Sequence, residues 1–340
     1  MNSYKKIIAG VFCTFAVLAI SGCSLDGSPR PRLGYLPIAT MGVPFPDPNN
    51  LGKHSYGLSF SENGGIIYTC KGGHLDLDHI RGSADNTRYI DKKIRSTLSK
   101  NAKGFSFSLA GDPSSHKITF TYPPNWNLQP QKDRIIEEIA LNTAPQIAFD
   151  VTTWHEILTW FGVHFMILEP EFNSAFSWED IYSNLLGTWL AVDALKDTEH
   201  NFNDAMTIGL QRKLKELQIQ PKAVAIAASD KVRNKWYTGS FISDTKMRNF
   251  DIGLDGFVTP TLVEGMDGCN GQPLSLPAPT LDVLKRHGFT MTHQVKPNVL
   301  QQGRIFKAAG SKKIFPEKHF PIIIEYMKKQ ADEKGYQYDE

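Results

Sequence analysis

The sequence predicts an α+β protein with a helix-dominated core, a β-hairpin and a C-terminal part rich in strands and loops. Three observations carry that expectation. Between residues 131 and 235 apolar side chains recur at helical spacing in segment after segment. Between 105 and 122 they alternate with serine and threonine across a turn-forming Gly111-Asp112-Pro113-Ser114. After Trp236 the texture changes to Gly, Asp and β-branched residues, then to the proline-rich CNGQPLSLPAPT.

In chain order, Lys5-Lys6 precedes an apolar run from Ile7 to Ile20 and the residues Ile20-Ser21-Gly22-Cys23. A basic start, a short apolar stretch and small residues before a cut describe a signal peptide over residues 1–22. About fourteen apolar residues are too few to cross a bilayer, which takes roughly twenty. Ile20-Ser21-Gly22-Cys23 also resembles the lipobox of bacterial lipoproteins, where the cysteine is diacylated and becomes the first mature residue. That resemblance implies lipidation at Cys23, anchoring in the bacterial envelope and, because Ser24 rather than Asp follows, the outer membrane facing the periplasm.

Losing Lys5 and Lys6 leaves 35 basic against 35 acidic residues. A neutral balance gives no electrostatic pull toward nucleic acid, so none is expected as a partner, and contact with the membrane is left to the lipid anchor. Residues 23–50 carry six prolines and three glycines without periodicity, which predicts a tether lifting the body off the membrane. Residues 51–340 then form a single domain. Cys13 leaves with the leader and Cys23 is used by lipid, so Cys70 and Cys269 remain, and an oxidising compartment favours a disulfide between them. The competing readings make Cys70 a metal ligand close to His74, or leave both as buried thiols.

Short apolar alternation over 57–69 suggests a strand ending at Cys70. Gly72-Gly73 permits a turn, Asp76 or Asp78 can cap a helix, and Leu77, Ile80, Ala84, Ile94 and Leu98 carry that helix to Ser99. The hairpin follows and Pro123-Pro124 closes it. A short helix is expected through Ile135, Ile136, Ile139 and Ala140, and a separate one through Ile147, Val151, Trp154, Leu158 and Phe161. Further helices are expected from Ser177 to near Lys196, over 202–217 and over 221–235, and a last one opened by Pro321.

The stretch from Gly72 to Arg88, GGHLDLDHIRGSADNTR, concentrates the groups that bind metals and move protons. His74, Asp76 and His79 sit at its head, and Asp76, His79, Ser83 and Asn86 share one helical face beside the apolar stripe. Two other segments qualify. His155-Glu156 lies in the middle of a predicted helix, although Thr159 stands where the zincin pattern H-E-x-x-H needs histidine; His164 is a weaker candidate nearby. Ser177-Trp178-Glu179-Asp180 has the spacing of a capping box, so its acids already have a structural reason to be there. No nucleophile elbow, Walker loop or dinucleotide fingerprint occurs.

Taken together, GGHLDLDHIRGSADNTR, WHEILTWFG, SWEDIYSNLLG and RNFDIGLDGFVTP resemble an uncharacterised family of Gram-negative lipoproteins known only as a domain of unknown function. The resemblance implies an envelope location and a shared fold, and brings no established activity or catalytic residue with it.

The expectation drawn from the residues is a divalent-metal site, suited to zinc or a similar ion, with His74, His79, His155 and Glu179 as ligands and Asp76 or Glu156 as general base. The site belongs to an envelope lipoprotein, as a hydrolase of a cell-envelope component. The alternative is a non-catalytic lipoprotein that binds an envelope partner and uses the same polar residues as a buried structural network. The sequence does not identify the partner.

Overall fold

The computed structural model describes residues 27–32, 44–57, 61–109, 112–162, 174–238 and 244–340. Strands β1 (Ile66–Thr69) and β2 (Gly73–Asp76) form an antiparallel hairpin in which Thr69 faces Gly73 and Ile66 faces Asp76. Gly73 adopts φ +66°, and a Cβ there would lie 2.2 Å from the Thr261 carbonyl oxygen, so the turn requires glycine. Helix α1 (Leu77–Ser99) begins directly after β2, with Asp76 as its cap. Its stripe of Leu77, Ile80, Ala84, Ile94 and Leu98 is fully buried, as the spacing predicts.

Strands β3 (Gly104–Leu109) and β4 (Asp112–Thr121) form the expected hairpin. The sequence does not announce the third strand of that sheet. β8 (Thr290–Lys296) comes from the far end of the chain and pairs antiparallel with β4, setting Ile118 opposite His293.

Helix α2 (Lys132–Trp160) is continuous, where the sequence suggested two shorter helices. Pro145 lies inside it and removes one backbone bond, but Ala144, Ile147 and Ala148 around it have no exposure, and burial on both sides of the proline offsets the loss. Helix α3 (Asp180–Lys196) is buried nearly all round because α1, α2 and α4 (Phe202–Glu216) pack on different sides of it. Its Gly187 meets α1 so closely that a Cβ would lie 2.1 Å from the Ile80 carbonyl oxygen. Helix α5 (Lys222–Val232) then packs against β1.

The C-terminal third carries the short strands β5 (Met247–Asn249), β6 (Phe257–Val258) and β7 (Leu276–Pro277) and helices α6 (Asp282–Arg286), α7 (Gln302–Ala309) and α8 (Pro316–Lys334). The last helix starts at Pro316 and contains Pro321, which was expected to open it. Proline at the first helical position costs no hydrogen bond, so Pro316 is the better opener. Strand β9 (Gln337–Asp339) returns to pair in parallel with β5.

A disulfide joins Cys70 to Cys269, with Cα atoms 4.9 Å apart. The expected tether is not free where it is described: Phe45 is buried in the core, and Arg32 is buried against Glu62 and Asp85. Cys23 lies outside the described residues. No helix among the described residues is long and apolar enough to cross a membrane.

Candidate metal site

Three helices and one turn bring a histidine and four carboxylates together in the interior. Asp76, at the β2–α1 junction, accepts from the backbone N–H of Asp78 at 2.7 Å and of His79 at 3.2 Å, which fixes the first turn of α1. Its own N–H donates to Ser183 Oγ on α3 at 3.0 Å, tying the two helix starts together. His79 then directs its ring toward α3. Nδ1 lies 3.0 Å from Asp180 Oδ1, close enough for an ion pair but off the line of a hydrogen bond, and 3.9 Å from Asp76 Oδ2.

Glu156 reaches the same place from α2. Its Oε2 accepts from the Phe176 N–H at 2.9 Å, and Phe176 holds that N–H in position with φ +54°, an uncommon conformation for a non-glycine residue. One potential ligand atom each from His79, Glu156 and Asp180 can be chosen so that all three lie within 4.8 Å of one another. All four acids are buried, at 0% exposure for Asp76, 3% for Glu156, 1% for Glu179 and 3% for Asp180. The His79 side chain keeps 19% exposure, so water reaches the edge of the ring.

Ser177 organises the two acids at the start of α3. Its N–H donates to Asp180 Oδ2 at 2.8 Å, and its Oγ lies 2.8 Å from Glu179 Oε1 and 2.9 Å from Asp180 Oδ2. A hydroxyl has one hydrogen to give, so it donates to one acid while the other acid, protonated, donates to it. Glu179 is the protonated partner: burial first, and then the charge of Asp180, hold its carboxyl well above the usual carboxylate range. Its other oxygen, Oε2, is buried without a hydrogen-bond partner.

The same forces act on the rest of the cluster. Burial and then Asp180 push Glu156 well above its ordinary value. For His79 burial opposes the charged form, but Asp76 and Asp180 outweigh it and raise the ring well above its usual value. Arg248, fully buried on β5, donates to the Ala175 carbonyl, lies over the rings of Trp160 and Tyr336 at 5.5 and 4.9 Å, and interacts electrostatically with Asp180.

Of the residues named from the sequence, Asp76, His79, Glu156 and Glu179 meet here. His74 does not. Its Nδ1 accepts from Trp178 Nε1 at 3.2 Å among the edges of Tyr68 and Trp178, and burial lowers its pKa to about 3, which keeps it neutral. His155 is adjacent to Glu156 and so points about 100° away around α2; it is half-buried and outside the His79–Glu156–Asp180 group. His164 lies outside the described residues. In the sequence Asp180 stands only as a helix-start acid, and the signal that it is more is that two consecutive acids occur where capping needs one.

An imidazole nitrogen with several carboxylate oxygens suits a divalent ion that accepts mixed nitrogen and oxygen ligands, zinc and manganese among them. The convergence of the α1 and α3 starts also favours ionised carboxylates there, since helix N-termini carry partial positive charge.

No curated protein and no solved structure matches the chain. A family described as "Protein of unknown function (DUF4056)" matches residues 47–247, a span that contains all five residues of the cluster. The match covers more than half of the chain, which therefore belongs to that family of unknown function.

Proposed function

We propose that this chain is an envelope lipoprotein whose domain binds a divalent cation between His79, Glu156 and Asp180, and that the site hydrolyses a component of the cell envelope. The observation that carries the reading is the approach of three ligand atoms, from α1, α2 and α3, to within 4.8 Å of one another in a buried setting. Four buried carboxylates beside one imidazole are costly without a counter-charge, and a divalent ion supplies it. A bound ion of this kind lowers the pKa of its water toward neutrality. Once the cation's charge has displaced the proton it carries, Glu179, beside Asp180 and with a buried oxygen that has no hydrogen-bond partner, is the group that takes the proton of that water, and Ser177 holds it in line. The envelope assignment is supported by the lipobox-like residues at Cys23 and by a disulfide that needs an oxidising compartment.

The test is elemental analysis of protein purified without chelator, in the parent and in the Asp180→Asn and His79→Ala variants. The parent should hold stoichiometric metal and both variants should lose it. Metal-dependent release of product from isolated peptidoglycan, phospholipid or lipopolysaccharide then identifies the substrate. Sub-stoichiometric metal in the parent, or as much metal in both variants as in the parent, rejects the site.

One observation favours a second reading. Asp76, Glu156 and Asp180 each also accept a backbone N–H, so the cluster can stand as a structural network once Glu156 and Glu179 keep their protons. The chain is then a non-catalytic lipoprotein that binds an envelope partner. A metal-free parent destabilised by Asp180→Asn selects this reading.

A further inference from the structure

Arg32 pins the N-terminal segment to the body. Its side chain is 2% exposed, and its Nε and Nη2 donate to Asp85 Oδ2 at 3.0 and 2.9 Å. It also pairs with Glu62 and donates to the Ser55 carbonyl at 2.9 Å. Arg30 adds a second ion pair to Glu62, and His54 Nε2 lies 3.1 Å from the remaining oxygen of Asp85. Five residues upstream of Arg32, the Gly27 carbonyl accepts a 2.7 Å hydrogen bond from Tyr56. Gly27 is therefore held beside Tyr56. There the Arg88 guanidinium lies 4.5 Å over the Tyr56 ring and 4.6 Å over Phe202, and exposed Lys92 follows one turn later on α1.

We infer that the face around Tyr56, Arg88 and Lys92 rests against an anionic lipid surface. The inference builds on the proposed acylation of Cys23. Four peptide links separate Cys23 from Gly27, so the lipid-bearing residue lies at most about 14 Å from the point where Tyr56 holds the chain. Aromatic rings beside cationic side chains are the chemistry that meets the headgroups of anionic phospholipid. The proline-rich run adds little stand-off, because its first part is already fixed by Glu62 and Asp85.

The test uses the full chain in its acylated form on protein-free vesicles of phosphatidylethanolamine and phosphatidylglycerol. Gly57 is exposed next to Tyr56, and a Cβ there meets nothing within 4 Å, so Gly57→Cys carries a fluorophore without disturbing the fold. Energy transfer to a lipid-borne acceptor should be strong, and should fall about twofold or more with Lys92→Glu or when phosphatidylglycerol is replaced by phosphatidylcholine. A flexible spacer of about twenty residues between Asp26 and Gly27 frees the body from its anchor, so transfer retained with the spacer comes from the face itself. Weak transfer in the parent, or transfer unchanged by both Lys92→Glu and the neutral lipid, overturns the inference and leaves this face free for a protein partner. Mass analysis of the mature N-terminus separates the two failures: an unacylated Cys23 removes the lipoprotein reading itself.

Discussion

His116 Nδ1 and His293 Nε2 lie 3.0 Å apart in the interior, and each ring turns its other nitrogen to a carboxylate, Asp112 at 2.8 Å and Asp150 at 3.0 Å. Asp112, His116, His293 and Asp150 thus form one row of polar groups. It joins β4, β8 and α2. Phe107 of β3 stacks on His116, Gln146 donates to the other oxygen of Asp150, and Lys117 and Lys296 occupy exposed positions on the two strands. On α8, which packs on β8, the His319 ring is engaged by the Phe315 backbone.

This arrangement predicts an acid-sensitive joint. Burial first, then His116, lowers the His293 pKa despite the hydrogen bond to Asp150. An unfolded histidine takes up its proton near pH 6.5, so the unfolded state binds more protons as pH falls below about 6.5 and stability is lost there. The urea midpoint of the parent should fall relative to that of His293→Gln between about pH 7 and 5. A constant difference between the two proteins across that range would reject the assignment.

Metal affinity should rise with pH. His79, Glu156 and Glu179 all hold protons above their ordinary values, and an incoming cation must displace them. Affinity for zinc or manganese should therefore weaken as pH falls, with the loss already under way above the ordinary histidine value of about 6.5. Calorimetric titration in buffers of different ionisation enthalpy counts the protons released, and zero release would contradict the protonation pattern.

Gly187→Ala should loosen the site from a distance. A Cβ at Gly187 would lie 2.1 Å from the Ile80 carbonyl oxygen and 2.9 Å from its Cα, both backbone atoms, so α3 must move away from α1. Overpacking of this kind costs about 1–3 kcal/mol or more. Because Asp180 and His79 ride on those two helices, metal retention should fall as well. Gly209→Ala is the control, since its Cβ would meet only Leu190 Cδ2 at 3.7 Å, and it should stabilise α4 by about 0.4–1 kcal/mol. Equal thermal stabilities of the two variants would refute the tight contact.

Removing the Cys70–Cys269 disulfide frees a loop with a sequence separation of 199. In the chain-entropy model that costs on the order of 5 kcal/mol. A Cys70→Ala, Cys269→Ala double variant should show a lower denaturation midpoint, and an unchanged midpoint would mean that the denatured chain is already constrained.

Local signals in the sequence were enough to read α1, the β3–β4 hairpin and the burial of the α1 stripe, because each depends on spacing within a few residues. Asp76, His79, Glu156 and Glu179 were legible as chemically capable. Their meeting depends on how α1, α2 and α3 pack, which periodicity does not encode. His74 and His155 show the limit most clearly: each lies within two residues of a cluster residue in sequence, yet His74 meets Trp178 instead and helix geometry turns His155 away from Glu156. The continuity of α2 through Pro145 was hidden because the decisive term is tertiary burial. The pairing of β8 with β4 joins residues too far apart in sequence for any local pattern to reveal.

The parallel pairing of β5 with β9 sets Arg248 opposite Tyr338, so one edge of the strand that carries this guanidinium is completed only by the last residues of the chain, while its other edge meets Phe176 and Ser177. During synthesis the acids of the cluster, all within residues 76–180, emerge well before β9 does. The nascent domain therefore gathers negative charge first and completes the strand bearing a compensating cation last. A ribosome that stalls or a protease that trims near residue 335 leaves the acids and Arg248 in place but strips β5 of its β9 edge.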